Sequence, residues 1–235
     1  MFKGIEMADS VSIDTHKLFY CPTSMGVVVF KSEKDLNLIK HTSHYIIRRN
    51  SVDTGRFTLE GSRPFACLKP WAALKIIGKR GYGLLLQHAR ESTNYLRDIL
   101  DHCGNFEVLN TPELFILNYR FIPEAAKEQI SIWEGISEKT REAEKKIMDI
   151  NRFINGLNVK LHRELRRDDT TFVSRTTLES TRYRPQNIVV LRAVLVNPLT
   201  DKKVLDKIVE TQNRIGLQIW KEFEPAFKRI KEESF

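Results

Sequence analysis

The chain has 235 residues, a formal net charge of +8 and 41% hydrophobic residues, enough for one large globular domain or two small ones. No segment reaches the roughly 18 consecutive apolar residues that span a bilayer, and residues 1–6 lack the apolar core of a secretory signal. Cys21, Cys67 and Cys103 are odd in number, widely spaced and form no metal-ligand pattern, so a soluble cytoplasmic protein with no membrane partner and no metal is expected.

The basic residues come as scattered pairs: Arg48-Arg49, Lys79-Arg80, Lys145-Lys146, Arg166-Arg167 and Lys202-Lys203. Each pair sits near acids or on the polar side of an expected helix, and no basic stripe interleaved with aromatics occurs. Nucleic acid is therefore not an expected partner. A modest positive field suits anionic small ligands instead.

Residues 8–17 read Ala-Asp-Ser-Val-Ser-Ile-Asp-Thr-His-Lys. The β-rich run 10–13 predicts a buried strand that delivers Asp14, His16 and Lys17 to its end. A desolvated lysine among polar neighbours has a lowered pKa and is nucleophilic toward an aldehyde. The tetrapeptide alone is a weak signal, and His16 taken singly is equally an ordinary strand-end histidine. Residues 26–31 form a short apolar run, as for a strand buried on both faces. Residues 40–60 are polar and aperiodic, a length of irregular chain that is usually functional or mobile.

Ser62 precedes Pro64 in the manner of an N-cap with proline just inside a helix. Phe65, Leu68, Trp71, Ala72 and Ile76 follow at helical spacing. Gly78 and Gly81 interrupt that pattern, and a second helix is expected over 82–102. Strands are predicted at 106–109 and 114–121, with Pro123 ending the pair. A long amphipathic helix follows over 137–167, then strands at 172–178 and 188–196, a turn at 197–201 and a final helix. This order predicts an α/β portion over 1–82 followed by an α+β portion over 83–235, joined near 78–84. Within the strand Val-Val-Leu-Arg-Ala-Val-Leu, Arg192 needs an anionic partner, either a ligand carboxylate or a structural ion pair.

Four segments carry a family resemblance: residues 9–22, 26–31, 59–71 (Leu-Glu-Gly-Ser-Arg-Pro-Phe-Ala-Cys-Leu-Lys-Pro-Trp) and 172–200. They resemble the group II pyridoxal-phosphate (PLP) decarboxylases, and most of all their bacterial aspartate 1-decarboxylase and glutamate decarboxylase-like branch. The resemblance implies PLP fold type I, the aspartate-aminotransferase-like fold, with a truncated large domain followed by an α+β small domain. It also implies pyridoxal 5′-phosphate as cofactor, decarboxylation of glutamate or aspartate, and a homodimer with its site at the subunit interface.

On that resemblance Lys17 holds the cofactor as a Schiff base, and His16 lies near the phosphate and the imine. Asp14 either supports the phosphate through a backbone or bridging donor or is a strand-end turn residue. Tyr45 falls where the family's mobile loop carries the tyrosine that reprotonates Cα, or is a surface residue. Ser62 matches the turn that reaches the phosphate of the opposite subunit, and a plain N-cap would look the same. Arg192 matches the arginine that binds the substrate carboxylate.

Relatives carry a long region ahead of the lysine, with a phosphate-binding loop, a histidine stacked on the pyridine ring and an aspartate paired with the ring nitrogen. Here sixteen residues precede Lys17, so a C-terminal half is expected, working as a homodimer or with a complementing N-terminal half. The alternatives are a non-catalytic dimerisation or regulatory remnant, and a decarboxylase or carbon–carbon lyase with another substrate.

Overall fold

Alternation of small polar and β-branched residues builds the first strand of the computed structural model, β1 (Ser10–Asp14). The structure describes residues 2–23, 25–42, 44, 51–60, 62–136, 141–180, 182–183 and 185–232. β1 pairs antiparallel with β2 (Gly26–Phe30), Ser10 opposite Phe30 and Asp14 opposite Gly26. The apolar run of β2 reads as a strand covered on both faces, yet Val28 and Val29 are 51% and 53% exposed. Burial on both faces requires layers above and below a sheet, and among the described residues this sheet has two strands only.

Side-chain caps organise short turns before and within the aperiodic stretch. Ser32 accepts from the Lys34 N–H ahead of a 3₁₀ turn at Glu33–Leu38. Asp53 accepts from the Gly55 N–H at 2.8 Å ahead of another at Thr54–Phe57, as short polar side chains do at helix starts. Helix α1 (Leu68–His102) then begins six residues after Ser62, so Ser62 is not its N-cap. The proline within its first turn is Pro70 rather than Pro64, at a place where the missing N–H would have had no intrahelical acceptor. Gly78, at φ 66° and ψ 171°, breaks the helical path inside α1. Two helical runs thus meet at this glycine, as the interrupted periodicity predicts, and they share the label α1.

The chain forms two compact units, residues 1–86 and 87–235. The second is built on a four-stranded antiparallel sheet in the order β3 (Phe106–Val108), β4 (Ile116–Phe121), β6 (Gln186–Val194), β5 (Ser174–Ser180). Its core joins Leu96 and Leu100 of α1, Leu117, Tyr119 and Phe121 of β4, and Leu191 of β6. Ile154, Leu157 and Leu161 of helix α3 (Arg141–Asp168) complete it at the spacing of a helix face. Helix α4 (Lys202–Glu232) closes the unit, and Trp220 and Phe227 gather around Phe153 of α3 at ring separations of 6.4 and 5.6 Å.

One helix, α2 (Glu124–Gly135), has no counterpart in the sequence reading. Pro123 marks the end of a strand, and it also opens this helix with φ −59°.

Past the Tyr119–Leu191 pair the two central strands, β4 and β6, part company, and amides of α3 take over their backbone groups. Asn158 accepts from the Phe121 N–H at 2.9 Å and donates to the Phe121 carbonyl at 2.8 Å. Asn155 does the same for β6, accepting from the Val189 N–H and donating to the Asn187 carbonyl, both at 2.8 Å. These backbone groups of the opened sheet thus stay paired. Among the described residues, no helix is long and apolar enough to cross a membrane.

Candidate functional site

The alternation of β1 sends Val11, Ile13 and Thr15 to one side and leaves Asp14 and His16 on the other. Thr15 is fully buried and fixes the strand end twice. Its hydroxyl donates to the Met25 carbonyl at 3.2 Å, and its own carbonyl accepts from the Cys21 N–H at 3.1 Å. Sequence reasoning passed over Thr15, although its place in the inward register of Val11 and Ile13 was legible. The His16 Nδ1 lies 3.4 Å from the same Met25 carbonyl.

The chain then turns twice, the Lys17 N–H donating to the Asp14 carbonyl and the Tyr20 N–H to the Lys17 carbonyl. Tyr20 occupies the left-handed region at φ 54°, which is uncommon for a bulky side chain and marks a tightly held turn. The turns bring the Lys17 ammonium onto the Asp14 carboxylate at 2.5 Å. The hydrogen bond and charge of Lys17 hold the Asp14 carboxyl below its ordinary value, and the His16 charge adds to them. The side chains of Lys17 and Asp14 are 66% and 53% exposed. The expected desolvation of Lys17 is therefore not what the structure shows, because the short sheet leaves the end of β1 open.

Ser62 lies in exposed coil and makes no side-chain bond to Asp14, His16 or Lys17. Tyr45 lies outside the described residues. Beside the lysine turn, Ile13, Phe19, Val27 and Val29 face Phe65, Trp71 and Leu74 across an open apolar groove of about 680 Å³. Tyr82 braces this groove, its hydroxyl donating to the Phe19 carbonyl at 3.0 Å with the two rings 5.2 Å apart.

Arg192 belongs to the second unit. On β6 it sits between Ser174 of β5 and Asn118 of β4. It is half-buried beside a pocket of about 230 Å³ that Phe172, Ser174, Leu195 and Leu205 also line. Its carbonyl accepts from the Ser174 hydroxyl at 2.8 Å. Among the described residues no acid pairs with its guanidinium. The ion pair foreseen as an alternative for Arg192 belongs to a different residue. Arg120, fully buried on β4, donates to Glu107 at 2.6 Å and to Asn151 at 2.7 Å. Its place opposite Glu107 across the β3–β4 hairpin was the missed signal.

Residues 1–122 match the model of the pyridoxal-dependent decarboxylase conserved domain. The chain is 35% identical over 216 residues to an aspartate 1-decarboxylase of Aliivibrio fischeri, covering 92% of this chain and 38% of that protein. Among solved structures it resembles mouse CSAD, with a TM-score of 0.69 at 21% identity, covering 92% of this chain and 41% of the other. It also resembles Oryza sativa TDC with PLP and tryptamine, with a TM-score of 0.65 at 16% identity and coverages of 93% and 38%. The chain thus spans about two fifths of the length of the proteins it matches, and its mixed α/β architecture is that of PLP fold type I. With the domain match running from the first residue through β4, over half of its length, the chain belongs to the pyridoxal-dependent decarboxylase family.

Proposed function

We propose that this chain contributes the lysine-bearing and carboxylate-binding parts of a PLP-dependent decarboxylase acting on an acidic amino acid, glutamate or aspartate. The observation that carries the reading is the primary amine of Lys17, reachable from solvent and held by a single carboxylate at the end of β1. That donor set fits the aldehyde end of pyridoxal phosphate, which needs an accessible amine with a nearby proton acceptor. When bound, the cofactor supplies the electron sink for the bond that breaks at Cα.

The nucleophilic form of Lys17 is the neutral amine. Asp14 therefore both positions the nitrogen and is the nearest acceptor for its proton. Thr15 holds the turn that aims it. His16, on the same side as Asp14, is the residue this reading assigns to the phosphate. Ser62 and Tyr45 stay in the reading as a phosphate contact from a partner subunit and as the proton donor to Cα. Among the described residues no acid pairs with Arg192, so its planar fork is available for a bidentate bond to a substrate carboxylate. This cation is the reason for preferring an acidic substrate.

The partner in this reading is a second copy or a polypeptide carrying the remainder of the family's length, seated on the apolar groove where Phe65 is 75% and Trp71 58% exposed. The compartment is the cytoplasm, where three free thiols persist. The same exposed groove favours a second reading, a non-catalytic dimerisation module. One assay separates the two. Carboxyl-labelled aspartate and glutamate are supplied with PLP to the chain, alone and mixed with a polypeptide spanning the rest of the family's length. The mixture is expected to release labelled carbon dioxide, and Lys17→Ala to stop it. Release that survives Lys17→Ala removes the lysine assignment, and a mixture that binds PLP without release favours the dimerisation module.

A further inference from the structure

We infer that the outer edge of β5 is a self-association surface that joins two copies of this chain through a continuous antiparallel sheet. The inference is independent of the lysine site. β5 is the last strand in its sheet: β6 takes one edge along all seven residues, and among the described residues no strand pairs with the other. At roughly 3.3 Å per residue this free edge is about 23 Å long, with a row of outward N–H and C=O groups that no internal strand satisfies.

The sequence of the edge determines what it can accept. Ser-Arg-Thr-Thr-Leu-Glu-Ser is symmetric in charge about Thr177, with Arg175 two residues before it and Glu179 two residues after. Arg175, Thr177 and Glu179 share one face of the strand, and all three are exposed. Neither charged side chain has an ion-pair partner among the described residues.

A second copy laid antiparallel about a two-fold axis through Thr177 sets Arg175 of each copy opposite Glu179 of the other. Thr176 then faces Leu178 on the half-buried side. The contact is isologous, as in most homodimers. Charges on an edge strand ordinarily keep foreign strands away. Here they admit one register only. A slip of two residues loses both pairs, a slip of four sets like charges opposite each other, and parallel pairing in register does the same. A single pair of seven-residue strands buries less than the roughly 1,200 Å² of stable interfaces, so the association is weak and concentration-dependent.

Sedimentation of the full chain over a concentration series tests this with Arg175→Glu, Glu179→Arg, their equimolar mixture, and both substitutions in one chain. Each single variant confronts like charges with like and is expected to self-associate about tenfold more weakly than the unsubstituted chain. In the mixture one strand carries two acids and the other two bases, so both pairs return and association recovers. The doubly substituted chain re-forms the pairs with signs exchanged and is expected to match the unsubstituted protein. This arm reads the interface even if a single variant folds poorly. Equal behaviour of all five samples, or no association of the unsubstituted chain at any concentration, overturns the inference.

Discussion

Glu107 receives three donors: the Arg120 Nε at 2.6 Å, an Arg182 guanidinium N–H at 2.9 Å and the Tyr183 hydroxyl. Burial pushes the Tyr183 phenol well above its ordinary value, and the Glu107 charge adds to the shift. Removing this carboxylate leaves Arg120 as an uncompensated buried cation. We predict that Glu107→Ala lowers stability by about 3–5 kcal/mol in urea unfolding, whereas Arg192→Ala, which breaks no ion pair among the described residues, changes it by about 0.5 kcal/mol or less. Arg192→Ala should instead weaken binding of acidic amino acids by about 10- to 100-fold, as loss of a charged hydrogen bond does. Unchanged affinity with lowered stability would make Arg192 a structural residue. Sequence reading singled out Arg192 and passed over Arg120, because both lie among apolar strand residues and only the hairpin register shows which one meets an acid. His162 offers a pH signature. Burial first, then the charge of Arg175, lowers its pKa from 6.5. The folded state thus binds protons less readily than the unfolded chain. Its contribution is present above about pH 6.5 and is lost as pH falls through the lowered value. Unfolding midpoints in urea should fall as pH is lowered below 6.5, and less so in His162→Gln.

The elements of the second unit were largely legible because their periods are strong. α3 repeats apolar residues at Ile150, Ile154, Leu157 and Leu161, and the strands at 116–121 and 186–194 alternate or run apolar between turn residues. What escaped notice depends on contacts between elements. α2 is short, and its start at Pro123 doubles as a strand terminator. The asparagines of α3 look like ordinary polar helix residues until the strands they serve are seen to separate. Two glycines in helices make this dependence measurable. A Cβ on Gly216 of α4 would come within 2.5 Å of the buried Phe121 ring, whereas one on Gly156 of α3 meets nothing within 4 Å. We predict that Gly216→Ala destabilises by about 1–2 kcal/mol, the clash exceeding the gain in helix propensity. Gly156→Ala should stabilise by about 0.5–1 kcal/mol. Equal effects of the two in thermal unfolding would show that the α4–β4 packing is looser than the structure has it.

At the scale of the whole molecule the two units differ in how much they bury. In residues 1–86 the buried side chains among the described residues are Thr15, Cys21, Arg56 and Pro70, whereas residues 87–235 hold a continuous apolar core. Local stability follows buried contact density. Limited proteolysis should therefore cut within the first 86 residues before it reaches the second unit, and early cuts inside β4 or α3 would contradict that ordering. Composition could not reveal this imbalance, since Val28 and Val29 are as apolar as any core strand and their exposure reflects the lack of covering layers. The resemblance located Lys17, but the Asp14 partner and the open surroundings came from the turn geometry. The central claim is that the Lys17 amine is the attachment point for pyridoxal phosphate. The most direct test is borohydride reduction of the full chain after incubation with PLP, followed by peptide mass spectrometry. The account predicts a pyridoxyl label concentrated on Lys17 and displaced to no single site in Lys17→Ala. A label spread evenly over the other lysines, or concentrated on one of them, would contradict it.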